Sequence, residues 1–213
     1  MTQCILCDAI NCSTFWQKED KCYWRCANCE STFLEPNCRL TANEERAYYD
    51  LHENHVDDPG YRNFLRKVSE PLLNHLPPKK HGLDYGCGPG PALAAMLGDA
   101  GHTVALYDPF YRPNTAVLDK TYDFITCTEV AEHFHRPSQE FYKLHGMLRP
   151  GGWLAVMTSL LENHIDFERW HYRRDPTHVV FYRRQTFYWL ATRYGWRCEF
   201  IDGSVILIQK LKK

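Results

Sequence analysis

The stretch LDYGCGPGPALAAML, residues 83–97, constrains the fold more than any other part of this 213-residue chain. A short apolar run ends at Asp84, a glycine-rich turn follows, and an apolar helical segment comes next. Glycine adopts positive φ angles readily and lets a ligand approach the backbone closely. The pattern therefore predicts a strand, a ligand-binding turn and a helix, which together begin a βαβ unit.

Strand-like and helix-like segments alternate from residue 81 to the C-terminus. This alternation predicts an α/β fold with a Rossmann-like, doubly wound, mostly parallel sheet. A tight turn at Gly203 and Ser204 separates the last two strand segments, so we expect an antiparallel C-terminal hairpin. Two helices are expected before the sheet, capped by Thr41 and Asp58.

Composition and segment character divide the chain into three parts. We expect a cysteine-rich module at residues 1–40, a helical connector and cofactor-site lid at 41–80, and an α/β domain at 81–213. The formal net charge of -1 gives nucleic-acid binding little support. No apolar run approaches the ~18 residues of a membrane span, and the N-terminus lacks signal-peptide features, so a cytoplasmic location is expected.

The glycine loop favours one cofactor over two others. A phosphate-binding Walker loop needs a Lys-Ser/Thr pair, which residues 86–93 lack. A dinucleotide loop needs a third glycine where this chain has Pro91. S-adenosylmethionine needs a tight backbone turn for its amino-acid part and an acid for its ribose hydroxyls. Asp108, which ends the next strand, is placed to be that acid.

Four segments in order, LDYGCGPG, VALYDP, YDFITCTEVAEHFHRP and LRPGGWLAVMT, resemble the motifs of class I S-adenosylmethionine-dependent methyltransferases. The resemblance covers roughly residues 45–210 and implies S-adenosylmethionine as cofactor. The cofactor-binding residues that it implies are Asp84, Gly86, Cys87, Gly88, Asp108, Pro109, Phe110, Thr128 and Glu129. Cys87 is assigned no chemistry. The segment after Asp108 is shorter than usual for the family and holds at most a short strand at residues 115–118.

Seven of the ten cysteines lie in the first 38 residues. Two Cys-x-x-Cys pairs, Cys4 with Cys7 and Cys26 with Cys29, have the spacing of a four-cysteine zinc site. Four thiolates close a tetrahedral site, which suits a structural ion. The spacing therefore predicts a small zinc ribbon, while disulfides or unliganded thiols are the alternative.

The segment EVAEHFHRP offers groups for chemistry beside the cofactor. Glu129, Glu132 and His133 resemble the Glu-x-x-Glu-His set of ubiquinone-pathway O-methyltransferases, and the resemblance implies a second divalent cation there. The alternative is a set that only packs or caps the turn. His133 is also a candidate base.

The loop at about residues 160–184 is expected to bind the substrate. Within it, Tyr172, Asp175 and His178 are candidate catalytic residues, with Asp175 orienting His178 as a base. Five arginines, at positions 169, 173, 174, 183 and 184, would be explained by an anionic group on the substrate.

The predicted function is methyl transfer from S-adenosylmethionine to a small molecule, to oxygen before carbon, with a structural zinc site. One alternative is an RNA methyltransferase whose ribbon holds RNA. The other is a cofactor-binding protein without catalysis.

Overall fold

The computed structural model describes residues 2–51 and 55–212 and contains one large and one small sheet. The strands of the large sheet, numbered with those of the small sheet in chain order, are β4 (His81–Tyr85), β5 (Thr103–Tyr107), β6 (Tyr122–Thr128), β7 (Leu148–Met157), β9 (Trp196–Phe200) and β10 (Val205–Lys210). Their order is β5-β4-β6-β7-β10-β9, and only β10 is antiparallel to its neighbours. The predicted Rossmann-like sheet with an antiparallel C-terminal hairpin is confirmed.

Helices cover both faces of this sheet because side chains alternate along each strand. The helices are α1 (Ala42–Tyr49), α2 (Pro59–Leu73), α3 (Ala92–Asp99), α4 (Pro137–Met147), α5 (His171–Arg174) and α6 (Arg184–Tyr194). Phe124 of β6 lies in one apolar cluster with α2 and α3, and the adjacent Ile125 lies in the other with α4 and α6. None of these helices is long and apolar enough to cross a bilayer.

Both predicted helix caps are confirmed. The Thr41 side chain accepts from the backbone of Glu44 and forms a reciprocal capping box, and Asp58 accepts from the N–H of Tyr61. The helix expected to continue to residue 55 ends at Tyr49, and part of that expectation, residues 52–54, lies outside the described residues.

The strand expected at residues 115–118 is wrong. A 3₁₀ turn, Thr115–Val117, occupies that place, and the side chain of Asn114 caps it by accepting from the N–H of Ala116 at 3.2 Å. The short segment folds back beside β5 through a bridge between Asp108 and Arg112. Within the described ranges, β5 therefore forms one edge of the large sheet.

The small sheet joins the cysteine-rich segment to the predicted substrate loop. Its four antiparallel strands are β1 (Cys12–Lys18), β2 (Lys21–Cys26), β3 (Thr32–Leu34) and β8 (Val180–Phe181). Tyr23 of β2 packs edge-on against Phe167 at 5.0 Å and lies 5.9 Å from Phe181, both measured between ring centroids. The two segments thus share one sheet and one aromatic core.

Candidate active site

A cavity of about 840 Å³ opens at the carboxyl ends of β4, β5 and β6. This volume lies in the range of small-molecule binding pockets. The predicted site residues that line it are Gly86, Cys87, Gly88, Asp108, Pro109, Phe110, Thr128, Glu129, His133, Tyr172, Asp175 and His178. Asp84 and Glu132 lie behind the wall and are almost or fully buried.

The glycine loop uses its glycines in two different ways. Gly86 has φ 81° and Gly88 has φ 62°, a region that favours glycine. A Cβ atom at Gly86 would come within 2.3 Å of the Val130 side chain, whereas a Cβ at Gly88 would meet nothing within 4 Å. Burial raises the pKa of the Cys87 thiol to about 12, so this group stays protonated.

Asp108 fastens the glycine loop to the segment after β5. Its Oδ2 accepts from the N–H of Gly88 at 3.0 Å, and its Oδ1 accepts from the N–H groups of Phe110 and Tyr111 at 2.8 and 3.0 Å. A carboxylate oxygen can accept two hydrogen bonds. Oδ2 therefore keeps one acceptor position for a ligand hydroxyl.

Asp84, which the resemblance implies as a cofactor-binding residue, is buried beneath the glycine loop and does not line the cavity. Its Oδ1 accepts from the Thr126 hydroxyl at 2.7 Å. Burial raises the pKa of this carboxyl to about 6, against the hydrogen bond from Thr126, which lowers it. The protonated form is thus stabilised in the folded protein.

This raised pKa predicts that stability falls as pH rises from about 4 through 6. The folded state binds the Asp84 proton more tightly than the unfolded state, so the favourable contribution is present at acid pH and is lost above pH 6. Asp84→Asn should flatten this slope and raise the free energy of unfolding above pH 7 by up to about 3 kcal/mol. Urea denaturation at several pH values measures it.

Asp123→Asn is the matched control for this pH experiment. Burial alone would raise the pKa of Asp123, but bonds from the N–H of His81 and from Arg149 lower it overall. Its contribution is therefore lost as pH falls, with the opposite sign. Equal slopes for wild type and Asp84→Asn would contradict the assignment.

The imidazoles of His133 and His178 both lie in the cavity wall. The Nδ1 atoms of His133 and His178 lie 3.0 Å from the carbonyl of Thr177 and 2.7 Å from the carbonyl of Tyr172, respectively. A carbonyl can only accept, so each Nδ1 carries the hydrogen and each Nε2 keeps a lone pair. Burial lowers the pKa of both rings, which favours these neutral forms.

Glu132 lies beside both imidazoles. Its Oε1 is 3.9 Å from the Nε2 of His133 and 3.9 Å from the Nε2 of His178. Neither oxygen has a partner at hydrogen-bond distance among the described residues, although the hydroxyls of Tyr172 and Thr158 lie near enough to lower its pKa, which burial raises overall. The side chain is fully buried.

Two residues of the predicted second metal set lie together with a residue from outside that set. Glu132 and His133 meet His178, and Glu129 is not among them. The reason is local: the helical turn is a 3₁₀ turn that begins at Ala131, and Glu129 precedes it with φ 52°. Glu129 faces the cavity instead, where burial and then Glu132 raise its pKa to about 9.

Asp175 does not hold His178 in the way expected of a base and its orienting acid. The Nδ1 that such an acid would bind is occupied by the Tyr172 carbonyl, and Asp175 Oδ2 lies 3.8 Å from Nε2 instead. The Tyr172 hydroxyl lies 3.1 Å from Thr158 Oγ1, and burial keeps its pKa well above the usual value. Tyr172 is therefore a neutral phenol.

The arginines that suggested an anionic substrate do not line the cavity. Arg183 and Arg184 pair with Glu30 and Glu162, while Arg173 stacks over Trp16. Arg136 lines the cavity instead and has no ion-pair partner within residues 2–51 and 55–212.

Helix α1 supplies wall residues that motif analysis missed. The Tyr49 ring lies edge-on to His133 at 5.3 Å and 5.8 Å from the Phe110 ring, measured between centroids. Glu45 pairs with His135 at 2.7 Å. No motif marks these positions, and only the helical register of the capped segment could have indicated which face they occupy.

The four predicted zinc ligands lie together at one end of the small sheet. Cys4 Sγ is 3.6 Å from Cys29 Sγ, and Cys7 Sγ is 3.5 Å from Cys26 Sγ. Zn–S bonds of about 2.3 Å in a tetrahedron place sulfur atoms about 3.8 Å apart, so the residues fit a zinc ion. None of the ten cysteines forms a disulfide.

Comparisons with known proteins agree on the fold. The 1,6-didemethyltoxoflavin-N1-methyltransferase of Burkholderia thailandensis, solved with bound 1,6-didemethyltoxoflavin and S-adenosylhomocysteine, is 15% identical to this chain with a TM-score of 0.54. The match covers 93% of this chain and 99% of that protein. Magnesium protoporphyrin IX methyltransferase from Synechocystis PCC 6803, also with S-adenosylhomocysteine, is 14% identical with a TM-score of 0.52, covering 80% and 94%.

An O-methyltransferase family protein of Burkholderia thailandensis is 15% identical with a TM-score of 0.52, covering 79% of this chain and 63% of its own. A search of curated protein sequences gave no significant match. The sequence model of a family described as a methyltransferase domain matches residues 58–199, a span that includes the glycine loop, Asp108 and both imidazoles. The chain therefore belongs to this methyltransferase-domain family and is an S-adenosylmethionine-dependent methyltransferase.

Proposed function

We propose that the protein transfers the methyl group of S-adenosylmethionine to an oxygen atom of a small-molecule acceptor, with carbon as the second choice of acceptor atom. The observation that carries this proposal is the single cavity that combines the glycine loop and Asp108 with the imidazoles of His133 and His178. Both imidazoles line this cavity and carry their hydrogen on Nδ1, so each Nε2 is free to accept a proton or to bind a metal ion. A hydroxyl acceptor needs such groups, because it must lose its proton during transfer.

The chemistry is an in-line displacement. An oxygen lone pair of the acceptor forms the new O–CH₃ bond while the bond between the methyl carbon and the sulfonium breaks. The bonding pair goes to sulfur and leaves neutral S-adenosylhomocysteine, and the hydroxyl proton passes to the imidazole side and then to solvent. The chain's own contribution is to align the acceptor and to exclude water.

The cavity suits a compact acceptor better than a polynucleotide. Four aromatic rings contribute to its wall, those of Tyr49, Phe64, Phe110 and Phe134. Arg136, which has no ion-pair partner among the described residues, offers its guanidinium to an anionic group. Three of the five arginines of the predicted substrate loop, Arg173, Arg183 and Arg184, are engaged with Trp16, Glu30 and Glu162, and none of the five lines the cavity. These contacts favour a small aromatic or anionic molecule.

We further propose that Cys4, Cys7, Cys26 and Cys29 hold a structural zinc ion. Four thiolates leave no open coordination position, so this ion would supply folding energy and no catalysis. A reducing compartment such as the cytoplasm suits ten free thiols.

Methyl transfer from labelled S-adenosylmethionine to a panel of phenols, catechols, sugars and N-heterocycles, with RNA alongside, tests the proposal. We expect O-methylated products. Asp108→Ala should weaken cofactor binding tenfold or more in calorimetry, because it removes charge-assisted hydrogen bonds worth about 1.5–3 kcal/mol each. Asp123→Ala, which removes another backbone-bonded carboxylate remote from the cavity, should leave cofactor affinity unchanged. Transfer only to RNA, nitrogen or carbon would contradict the oxygen assignment.

A further inference from the structure

Three acceptor atoms lie close together in a buried position, and no hydrogen bond between described residues joins them. They are Oε1 of Glu132 and the Nε2 atoms of His133 and His178, all within 4.8 Å of one another. Both Nδ1 atoms already donate to the carbonyls of Thr177 and Tyr172. Lone pairs and a carboxylate so arranged repel one another unless a cation lies among them.

A proton alone does not account for this arrangement. A hydrogen bond between Glu132 and either ring, donated by a ring N–H or by the protonated carboxyl, would bring the two atoms to about 2.5–3.2 Å, whereas both distances are 3.9 Å. Among the residues that the structure describes, neither oxygen of Glu132 has a partner at hydrogen-bond distance although the residue is fully buried, and the hydroxyls of Tyr172 and Thr158 are only its neighbours. A buried carboxylate left unpaired costs several kcal/mol, so a missing partner is the simplest reason for its place.

The spacing suits a metal ion. Bonds of about 2.1 Å in a tetrahedral site separate ligand atoms by about 3.4 Å. Closing the observed 3.9 Å to this value requires shifts of a few tenths of an ångström. The carbonyl bonds of the two Nδ1–H groups also have the form that orients metal-bound imidazoles in proteins.

We propose that Glu132, His133 and His178 bind one divalent transition-metal ion in the wall of the cavity, distinct from the ion of the cysteine cluster. Two imidazoles with one carboxylate select zinc, manganese, cobalt or iron over magnesium and calcium. Asp175 Oδ2, 3.8 Å from the Nε2 of His178, is near enough to contribute a fourth ligand. His133 and His178 line the cavity, so the remaining coordination positions face the acceptor.

The role that we infer for this ion rests on the proposed O-methylation. An ion at this position would lower the pKa of an acceptor hydroxyl bound to it and so help the hydroxyl to lose its proton. The set differs from the Glu129, Glu132 and His133 set implied by sequence resemblance. Its third ligand, His178, comes from the loop between β7 and α6. Metal binding would thus tie the predicted substrate loop to the turn after β6.

Cobalt binding to the full-length protein tests the site without relying on activity. Co²⁺ titrated into the protein as purified should give visible d–d bands of nitrogen and oxygen ligands without thiolate charge-transfer bands. Millimolar Mg²⁺ should not displace it. Glu132→Gln and His178→Ala should each weaken binding about a hundredfold or more. His171→Ala, which removes an exposed imidazole from the same cavity, should leave cobalt affinity unchanged.

Glu132→Gln is the decisive variant because it keeps the side-chain shape and removes a buried charge, so the fold should survive. Wild-type affinity in both Glu132→Gln and His178→Ala, or no cobalt binding by the wild type, would overturn the metal site. The two proposals fail separately. Cobalt binding without O-methylation of any acceptor overturns the function alone, and O-methylation without cobalt binding overturns the metal site alone.

Discussion

Cys26→Ser is expected to abolish binding of the proposed zinc ion and to lower the free energy of unfolding by at least about 4 kcal/mol. Cys26 is the last residue of β2 and is fully buried, and its sulfur lies 3.5 Å from that of Cys7. Loss of one thiolate opens the coordination site and removes the binding free energy by which the ion would hold this segment on the shared small sheet.

The same substitution should affect the two halves of the active site unequally. β3 of the cysteine-rich segment pairs with β8, which begins two residues after His178, and Leu34 donates its N–H to the carbonyl of Val179 between them. The glycine loop and Asp108 belong to the large sheet. We therefore expect turnover of the acceptor to be lost while S-adenosylhomocysteine still binds.

Zinc content, thermal denaturation and calorimetry with S-adenosylhomocysteine measure these effects. Cys38→Ser is the matched control, because Cys38 lies in the same segment, outside the four-cysteine cluster, and its thiol only donates to the Asp20 carbonyl. Retention of zinc and stability in Cys26→Ser would refute the structural role. Equal loss of cofactor binding and turnover would refute the unequal effect.

Gly86→Ala is expected to lower the free energy of unfolding by about 3 kcal/mol and cofactor affinity tenfold or more. About 1–2 kcal/mol comes from a non-glycine residue at φ 81°. The rest comes from the new Cβ, which would lie 2.3 Å from Val130 Cγ2 and force the loop to move. Denaturant unfolding and calorimetry measure the two quantities.

Gly88→Ala separates these two causes. It imposes a similar positive φ but meets no atom within 4 Å, so it should cost only about 1 kcal/mol of stability. Val130→Ala should recover part of the stability that Gly86→Ala loses, because it removes both methyl groups that collide with the new Cβ. Equal costs at positions 86 and 88, with no recovery, would show that the clash is unimportant.

The part of the site that binds the methyl donor could be predicted because its residues follow two strands that are consecutive in the sequence. Gly86, Gly88 and Asp108 lie at the ends of consecutive strands, and parallel pairing of β4 with β5 brings them together. The four cysteines were predictable for the same reason, since each pair lies within one short turn.

The grouping of residues that would face the methyl acceptor could not be predicted from neighbouring segments. His178 meets Glu132 only through pairing of distant segments, and Val179 donates its N–H to the carbonyl of Glu132. The assumption of an α-helix at residues 129–133 also gave Glu129 the wrong direction, because the turn is 3₁₀ and begins later. The excess of arginines in the predicted substrate loop did not indicate an anionic substrate group. Arg183, for example, is paired with Glu30, which lies in the distant cysteine-rich segment.

The shared small sheet has a consequence for the order of folding. β1 and β2 form a local hairpin and can pair as soon as that segment is available, but β3 pairs with a strand from beyond β7. Contacts between segments so far apart in sequence form slowly, because a long chain loop must first close. We expect the large sheet to form before β8 docks, so that a folding chain acquires the capacity to bind the methyl donor before its acceptor wall is complete.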